Sequence, residues 1–380
     1  MAEQMIPVYA VATHAVSALG ADVSAHWQAI RTMRTGLKRY DDRSMSPQPF
    51  WASMPDPAIW QLIHNHTRTA GTLTPFEQLA CYTARAAMAN AEMVQTGADT
   101  AFILSTTKGN IELLHQVPDE RLRLGQSAQL IARALGIKGN ALVVSHACVS
   151  GVIALQYGLG LIRSGRYRRV VVTGCDRFSR FVLSGFSSFH AIADEPCRPF
   201  DAARKGINLG EAAATIILSA DPGEVPIAEL VSGASSNDAN HISGPSRTGD
   251  ELAVAIARTL RRAGITPQDI DMISAHGTAT VYNDEMEAKA FHTTGLAKTP
   301  VHSLKGFVGH TLGAAGVLES VVTIESLRHQ MLVPSPGYDQ NGVSKSLNIT
   351  RSLEPARIRY ALKTASGFGG SNAVLIWKQP

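Results

Sequence analysis

Ala141-Leu142-Val143-Val144-Ser145-His146-Ala147-Cys148-Val149-Ser150-Gly151 is the stretch whose reading decides the fold. Four apolar residues in a row predict a buried strand, and the small and apolar residues over 149–162 predict a buried helix. Cys148 falls in the short turn between them. That position faces the free N–H groups and the positive end of a helix dipole, which predicts a lowered thiol pKa. A buried structural cysteine is the alternative, since free cysteine is a small hydrophobe. The second half repeats the pattern. Residues 299–303 read as a strand, a Gly-rich turn covers 306–309, and His310-Thr311-Leu312-Gly313-Ala314-Ala315-Gly316 opens a helix of small residues reaching Leu327.

Working outward, strands are expected over 8–17, 101–105, 169–174, 212–219, 227–232, 271–275, 361–365 and 373–378, with helices over 24–33, 74–96, 127–135 and 251–263. Ser127 is the expected N-cap of the third of these helices. Residues 41–66, with prolines at 47, 49, 55 and 57, read as an irregular covering segment. Strand–helix alternation predicts an α/β protein with a mainly parallel sheet and helices on both faces, in two equivalent halves, 1–220 and 221–380.

Composition narrows the function. Of 380 residues, 17% are charged, which suits a surface partly covered by a partner, and a net charge of +4 without a basic run excludes a nucleic-acid binder. Four cysteines in a chain this long make no disulfide framework, and no C-x-x-C pair points to a metal. A reducing, cytoplasmic setting is expected. No apolar run of about 18 residues suggests a membrane span.

Further candidates sit at strand ends. His276 follows the strand 271–275 in His276-Gly277-Thr278-Ala279-Thr280, where α/β sheets place their sites. His310 at a helix start is expected to be neutral, and Lys305 precedes it by five residues. Gly367-Phe368-Gly369-Gly370-Ser371-Asn372 lacks a phosphate-loop ending and is followed by a strand, so it reads as a source of backbone donors.

Together these motifs resemble the elongating β-ketoacyl-acyl-carrier-protein synthases of the thiolase superfamily, nearly end to end. The His276/His310 pair is the specific part of the resemblance. It implies the duplicated five-layer α/β/α/β/α thiolase fold and a decarboxylative condensation of an acyl thioester with a malonyl thioester. Cys148 would be the nucleophile, and His276 and His310 would donate hydrogen bonds to the malonyl carbonyl. Lys305 would organise them, with Glu319 as its buried partner. The N–H groups of Cys148 and Phe368 would form an oxyanion hole, and Thr278 and Thr280 would bind the pantetheine arm. Thr107, Ile207 and Phe368 would line the acyl pocket.

The resemblance also implies partners. Arg204 and Lys205 would dock an acyl carrier protein, whose phosphopantetheine carries the substrates, and no metal or bound cofactor is needed. A homodimer, or a heterodimer with a second ketosynthase-like chain, is expected, with the Val-rich strand 169–174 at a sheet edge where the resemblance puts the subunit interface. Thr107 and Lys108 replace a Gly-rich loop of the family, Ile207 replaces an aromatic residue, and the chain is short before Thr74. That pattern is similar to diverged members of polyketide, aryl-polyene-like and other secondary pathways. The alternative function is a chain-length-factor-like partner subunit with little elongation activity of its own.

Overall fold

The computed structural model describes residues 6–68, 73–93, 96–115, 119–223, 226–239 and 244–380. In the first half, β1 (Tyr9–Val16), β2 (Thr100–Ser105), β3 (Ala141–Val144), β4 (Arg169–Asp176) and β5 (Ala212–Ser219) lie side by side in the order β1-β5-β4-β2-β3. The second half supplies β6 (Ala228–Asn237), β7 (Met272–Ser274), β8 (Pro300–His302), β9 (Tyr360–Gly367) and β10 (Ser371–Lys378), in the order β6-β10-β9-β7-β8. Written by position within each half, both orders are 1-5-4-2-3. The pairing directions match as well: the first two junctions are antiparallel and the last two parallel in each half. The halves touch edge to edge where Tyr9 and Ala10 pair with Glu229 and Ala228.

The sheet is therefore mixed, not mainly parallel. The reason lies in the connections. β9 and β10 are joined by the tight turn at Gly369 and Gly370, both with positive φ, and a hairpin can only run antiparallel. In the first half β5 likewise returns antiparallel to both β1 and β4.

Helices α1 (Val23–Arg31), α2 (Pro57–Thr67), α3 (Pro75–Asn90), α4 (Leu124–Ala134), α5 (Ser150–Arg163), α6 (Arg180–Ser188), α7 (Asp250–Ala263), α8 (Val281–Thr293) and α9 (Ala315–His329) complete the main elements. α5 and α9 contact each other and both sheets, so they form a middle layer; α3 and α4 cover the outside of one sheet, and α7 and α8 that of the other. This is the five-layer thiolase arrangement. Three apolar slabs fill it: α3/α4 against the first sheet, α5/α9 between the sheets, and α7/α8 against the second. Strands buried on both faces explain the unbroken apolar runs such as Val170-Val171-Val172.

Four local expectations change. Residues 41–66 are not irregular: Phe50–Ser53 pairs with Leu37–Tyr40, and α2 follows. Pro57 sits in the first turn of α2, where a missing N–H costs nothing, and Asp56 caps it. Ser127 is not a cap; α4 begins at Leu124, and the Ser127 hydroxyl is buried against Glu77 Oε1 at 3.1 Å. α3 ends at Asn90, and residues 94 and 95 of its expected last turn lie outside the described residues. β4 lies inside the sheet between β2 and β5, so the open strand of the first half is β3.

Candidate active site

The nucleophile sits on a strained turn. Ala147 adopts φ 45°, a left-handed conformation that a side chain disfavours, and this turns Cys148 inward before α5 starts. Ser150 closes the turn: its Oγ accepts the His146 N–H at 2.7 Å and donates to the Ala147 carbonyl at 2.6 Å. His146 Nε2 in turn meets Ser371 Oγ, tying the nucleophile turn to the Gly-rich loop.

Cys148 Sγ and ring nitrogens of His276 and His310 lie within 4.8 Å of one another. The two imidazoles stand edge to face with centroids 5.2 Å apart. His276 is held through its backbone by α8. Its N–H donates to Glu287 Oε1 at 2.9 Å, the Gly277 N–H to Glu287 Oε2 at 2.6 Å, and the Thr278 N–H to Asp284 Oδ1 at 3.0 Å. The Lys305 ammonium donates to the His276 carbonyl and to its Nδ1 at 3.4 Å. On His310, Nδ1 accepts the Leu312 N–H at 3.3 Å, and Nε2 is buried with no hydrogen-bond partner among the described residues. In both rings the occupied Nδ1 leaves the proton on Nε2.

Both histidines are neutral, for a reason other than a helix start. His310 does not open α9; a single 3₁₀ turn at Leu312–Ala314 intervenes. Burial, then the Lys305 charge, hold both pKa values well below the usual 6.5. Cys148 also departs from expectation. Burial pushes its thiol up to about 11, with Lys305 and Lys108 pulling it back only in part, so the resting nucleophile is a thiol. Alkylation by iodoacetamide is therefore expected to accelerate with pH up to about 11. Peptide mapping should find the label on Cys148. Cys81, Cys175 and Cys197 are also free and buried, with pKa values raised by burial, and preferential labelling of any of them would sink the assignment.

Residues 5–222 match the family of the β-ketoacyl synthase N-terminal domain, and residues 227–339 that of the C-terminal domain. The chain belongs to the β-ketoacyl synthase family. It is 33% identical over 264 residues to 3-oxoacyl-[acyl-carrier-protein] synthase 2 of Vibrio cholerae, an alignment covering 64% of this chain and 63% of that one. The chain thus spans just under two thirds of the length of the curated relatives it matches. Among solved structures, the ishigamide ketosynthase/chain length factor superposes with a TM-score of 0.88 at 27% identity, covering 99% of this chain and 100% of that one. A ketosynthase in complex with its chain length factor from Xenorhabdus doucetiae gives 0.86 at 25% identity, covering 98% of each chain.

The remaining expected residues fall into two groups, and a third group was not expected. Some stand at the site. Glu319 Oε1 accepts from Lys305 Nζ at 2.7 Å, deep in α9. Gly367 packs so closely on the Cys148 backbone that a Cβ there would lie 3.1 Å from the Cys148 nitrogen. Phe368 beside it is half-buried, stacked on Phe186 and edge-on to Phe189. Thr278 and Thr280 share a hydrogen bond at 2.8 Å between their hydroxyls, and Ile207 is buried.

Others are committed elsewhere. Thr107 donates its hydroxyl to Asp176 Oδ2 at 2.9 Å, so it can meet an acyl chain only through its methyl group. Arg204 is not a docking residue. Its side chain is 6% exposed, and its guanidinium is spent on the carbonyls of Asp201, Gly342, Thr280 and Val281. Lys205 is 57% exposed, 3.5 Å from Glu195.

A third group escaped the sequence. Asp176 ties the 105–110 loop to the start of the middle layer, accepting from Thr106 Oγ1 at 2.7 Å and from the Gly313 N–H at 2.7 Å. Glu287 and Asp284 hold the His276 loop, and Lys363 shares Glu319 with Lys305. Lys363 carried a readable signal: a lysine in the middle of an apolar strand is buried only if paired.

The Cys148/His276/His310 cluster has the spacing of a zinc site, but its chemistry does not fit one. A metal would need Nε2 bare and the proton on Nδ1, yet Nδ1 of each ring already faces an N–H donor.

Proposed function

We propose that this ketosynthase condenses an acyl thioester with a malonyl thioester, both delivered on the phosphopantetheine of an acyl carrier protein. The observation carrying the reading is the gathering of the Cys148 sulfur and ring nitrogens of two neutral imidazoles within 4.8 Å of one another. The Cys148 thiol exchanges with the acyl thioester: its proton leaves with the pantetheine thiol, and an acyl–Cys148 thioester forms. The malonyl thioester oxygen then accepts hydrogen bonds from His276 and His310. Carbon dioxide leaves, and the pair of electrons it releases makes an enolate that the two donors stabilise. The enolate carbon attacks the acyl carbon, the N–H groups of Cys148 and Phe368 hold the oxyanion, and the cysteine sulfur is expelled. No metal is required, because the thioester already supplies the activation.

Thr278 and Thr280 would steady the pantetheine arm and Lys205 would meet the acidic carrier. The Thr107/Lys108 loop and Ile207 point to a secondary, polyketide-like pathway, in the cytoplasm. We take the chain as two halves dividing near residue 220. β3, half-buried at the open end of the first sheet, would pair with a second ketosynthase-like chain, like or unlike, since an unpaired edge strand invites association. Among the described residues no helix is long and apolar enough to cross a membrane.

A chain-length-factor-like role is the second reading; the intact Cys148, His276, His310 and Lys305 set favours catalysis. Intact-mass measurement should show one acyl group on the protein after incubation with an acyl carrier protein, and release of a 3-ketoacyl product when malonyl carrier protein follows. Acylation without product, alone and with co-expressed neighbours, would refute condensation.

A further inference from the structure

We propose that Lys363 is a second positioning cation of this site, acting through Glu319 on His276 and His310. The inference rests on the ketosynthase reading only for its effect on rate, not for its effect on the histidines.

Lys363 lies in the middle of β9, fully buried. Ser274 of β7 pairs in register with Lys363 on one side and with His302 of β8 on the other, so the three side chains project from one face of the second sheet at one level. That face looks onto α9. Lys363 Nζ reaches Glu319 Oε2 at 2.6 Å and the Ser274 carbonyl at 3.2 Å. The other carboxylate oxygen of Glu319 takes Lys305 at 2.7 Å. One carboxylate thus bridges two ammonium groups, and the nearer of these donates to the carbonyl and ring of His276.

Burying a second lysine here is expensive, and a single Lys305–Glu319 pair would already be neutral. The second cation therefore needs a use. With Glu319 divided between two lysines, it neutralises Lys305 only in part, so Lys305 keeps a positive field on the imidazoles. That field holds both rings neutral and able to donate, and it favours the negative charge that develops as carbon dioxide leaves. The other groups facing this cluster do not cancel it. His302 on β8 is held neutral, its pKa lowered to about 3 by burial and by Lys363. Glu287 on α8 is engaged by the backbone of His276 and Gly277 and by Thr364. Cys148 at the head of α5 is a thiol at rest.

The test is to titrate the imidazoles of His276 and His310 by NMR in histidine-labelled protein, assigned with the two alanine variants, and to follow malonyl decarboxylation in parallel. In Lys363→Met both midpoints should rise by roughly one pH unit, the effect of removing one like charge nearby. Decarboxylation should fall roughly tenfold, while acylation of Cys148 stays close to wild type. If Lys363→Met does not fold, Glu319→Gln/Lys363→Met removes the charges together, and its midpoints should lie above those of Glu319→Gln alone. Unchanged midpoints in these comparisons overturn the proposal, whatever happens to the rate. Raised midpoints in a protein whose wild type does not decarboxylate uphold the positioning role and bring down the ketosynthase reading instead.

Discussion

Replacing either His310 or His276 by alanine is expected to reduce malonyl decarboxylation by about 10²–10³-fold, while Cys148 still takes up an acyl group. The expectation follows from where the charge develops. Acyl transfer to Cys148 moves charge through an oxyanion that the backbone N–H groups of Cys148 and Phe368 would hold. Decarboxylation would instead load negative charge onto the malonyl thioester oxygen, and on the proposed reading the donors there would be the two Nε2–H groups. Each is fixed at its other nitrogen, His310 by the Leu312 N–H and His276 by Lys305. Neither can be replaced by water without reorganisation at the moment of reaction. Because burial and the Lys305 charge hold both imidazole midpoints well below 6.5, the decarboxylation rate should stay flat as the pH falls below 6.5 and drop only as it nears those midpoints. Single-turnover assays with radiolabelled malonyl carrier protein separate the two steps, and a variant that decarboxylates at the parental rate would overturn the assignment for that histidine.

Glu319→Gln should have the largest effect on stability, on the order of 3–5 kcal/mol, because it strands two buried ammonium groups at once. Urea unfolding would read this as a lower midpoint at unchanged slope. The same residue sets a pH dependence. Burial alone would raise the Glu319 pKa, but Lys305 and Lys363 outweigh it and the carboxyl lies below its usual value. Its contribution is thus present above the unfolded-state pKa of about 4.3 and is lost as pH falls through the folded value. The variant should lack that acid-side component. A Glu319→Gln protein as stable as wild type across pH 4–7 would show that the carboxylate does not hold the two lysines.

The resemblance named Cys148, His276, His310, Lys305 and Glu319, which the structure brings together, because their immediate neighbours in the chain form recognisable turns. The duplication was legible for a related reason: a strand, a turn and a helix of small residues occur twice. Asp176, Asp284, Glu287 and Lys363 were not read as site residues, since each acts on a partner 6–137 residues away in sequence. Spacing along one chain does not encode which backbone N–H a carboxylate will meet. The protonation state of Cys148 departs from the sequence reading for a similar reason. A helix start suggested a low thiol pKa at Cys148, but the cost of desolvation is set by the surrounding layers, and it dominates. Arg204 was expected at a docking surface from the resemblance; carbonyls of Asp201, Thr280, Val281 and Gly342 converge on its guanidinium and make it part of the interior.

A close approach between the two halves beside the nucleophile sets the width of the site. At the heads of α5 and α9, Gly151 and Gly316 meet without side chains. A Cβ on Gly151 would stand 2.7 Å from the Val317 nitrogen, and one on Gly316 would stand 2.5 Å from the Val152 nitrogen. Cys148 is three residues before the first glycine and His310 six before the second, so this backbone-to-backbone contact acts as a spacer bar between nucleophile and donor. One added methyl would lengthen the bar and move the reacting groups apart with every catalytic side chain still present. A misfit of about 1 Å can cost on the order of a hundredfold in rate. The repeated architecture thereby becomes a metrological constraint: the width of the seam where the two halves meet sets the gap between the reacting groups.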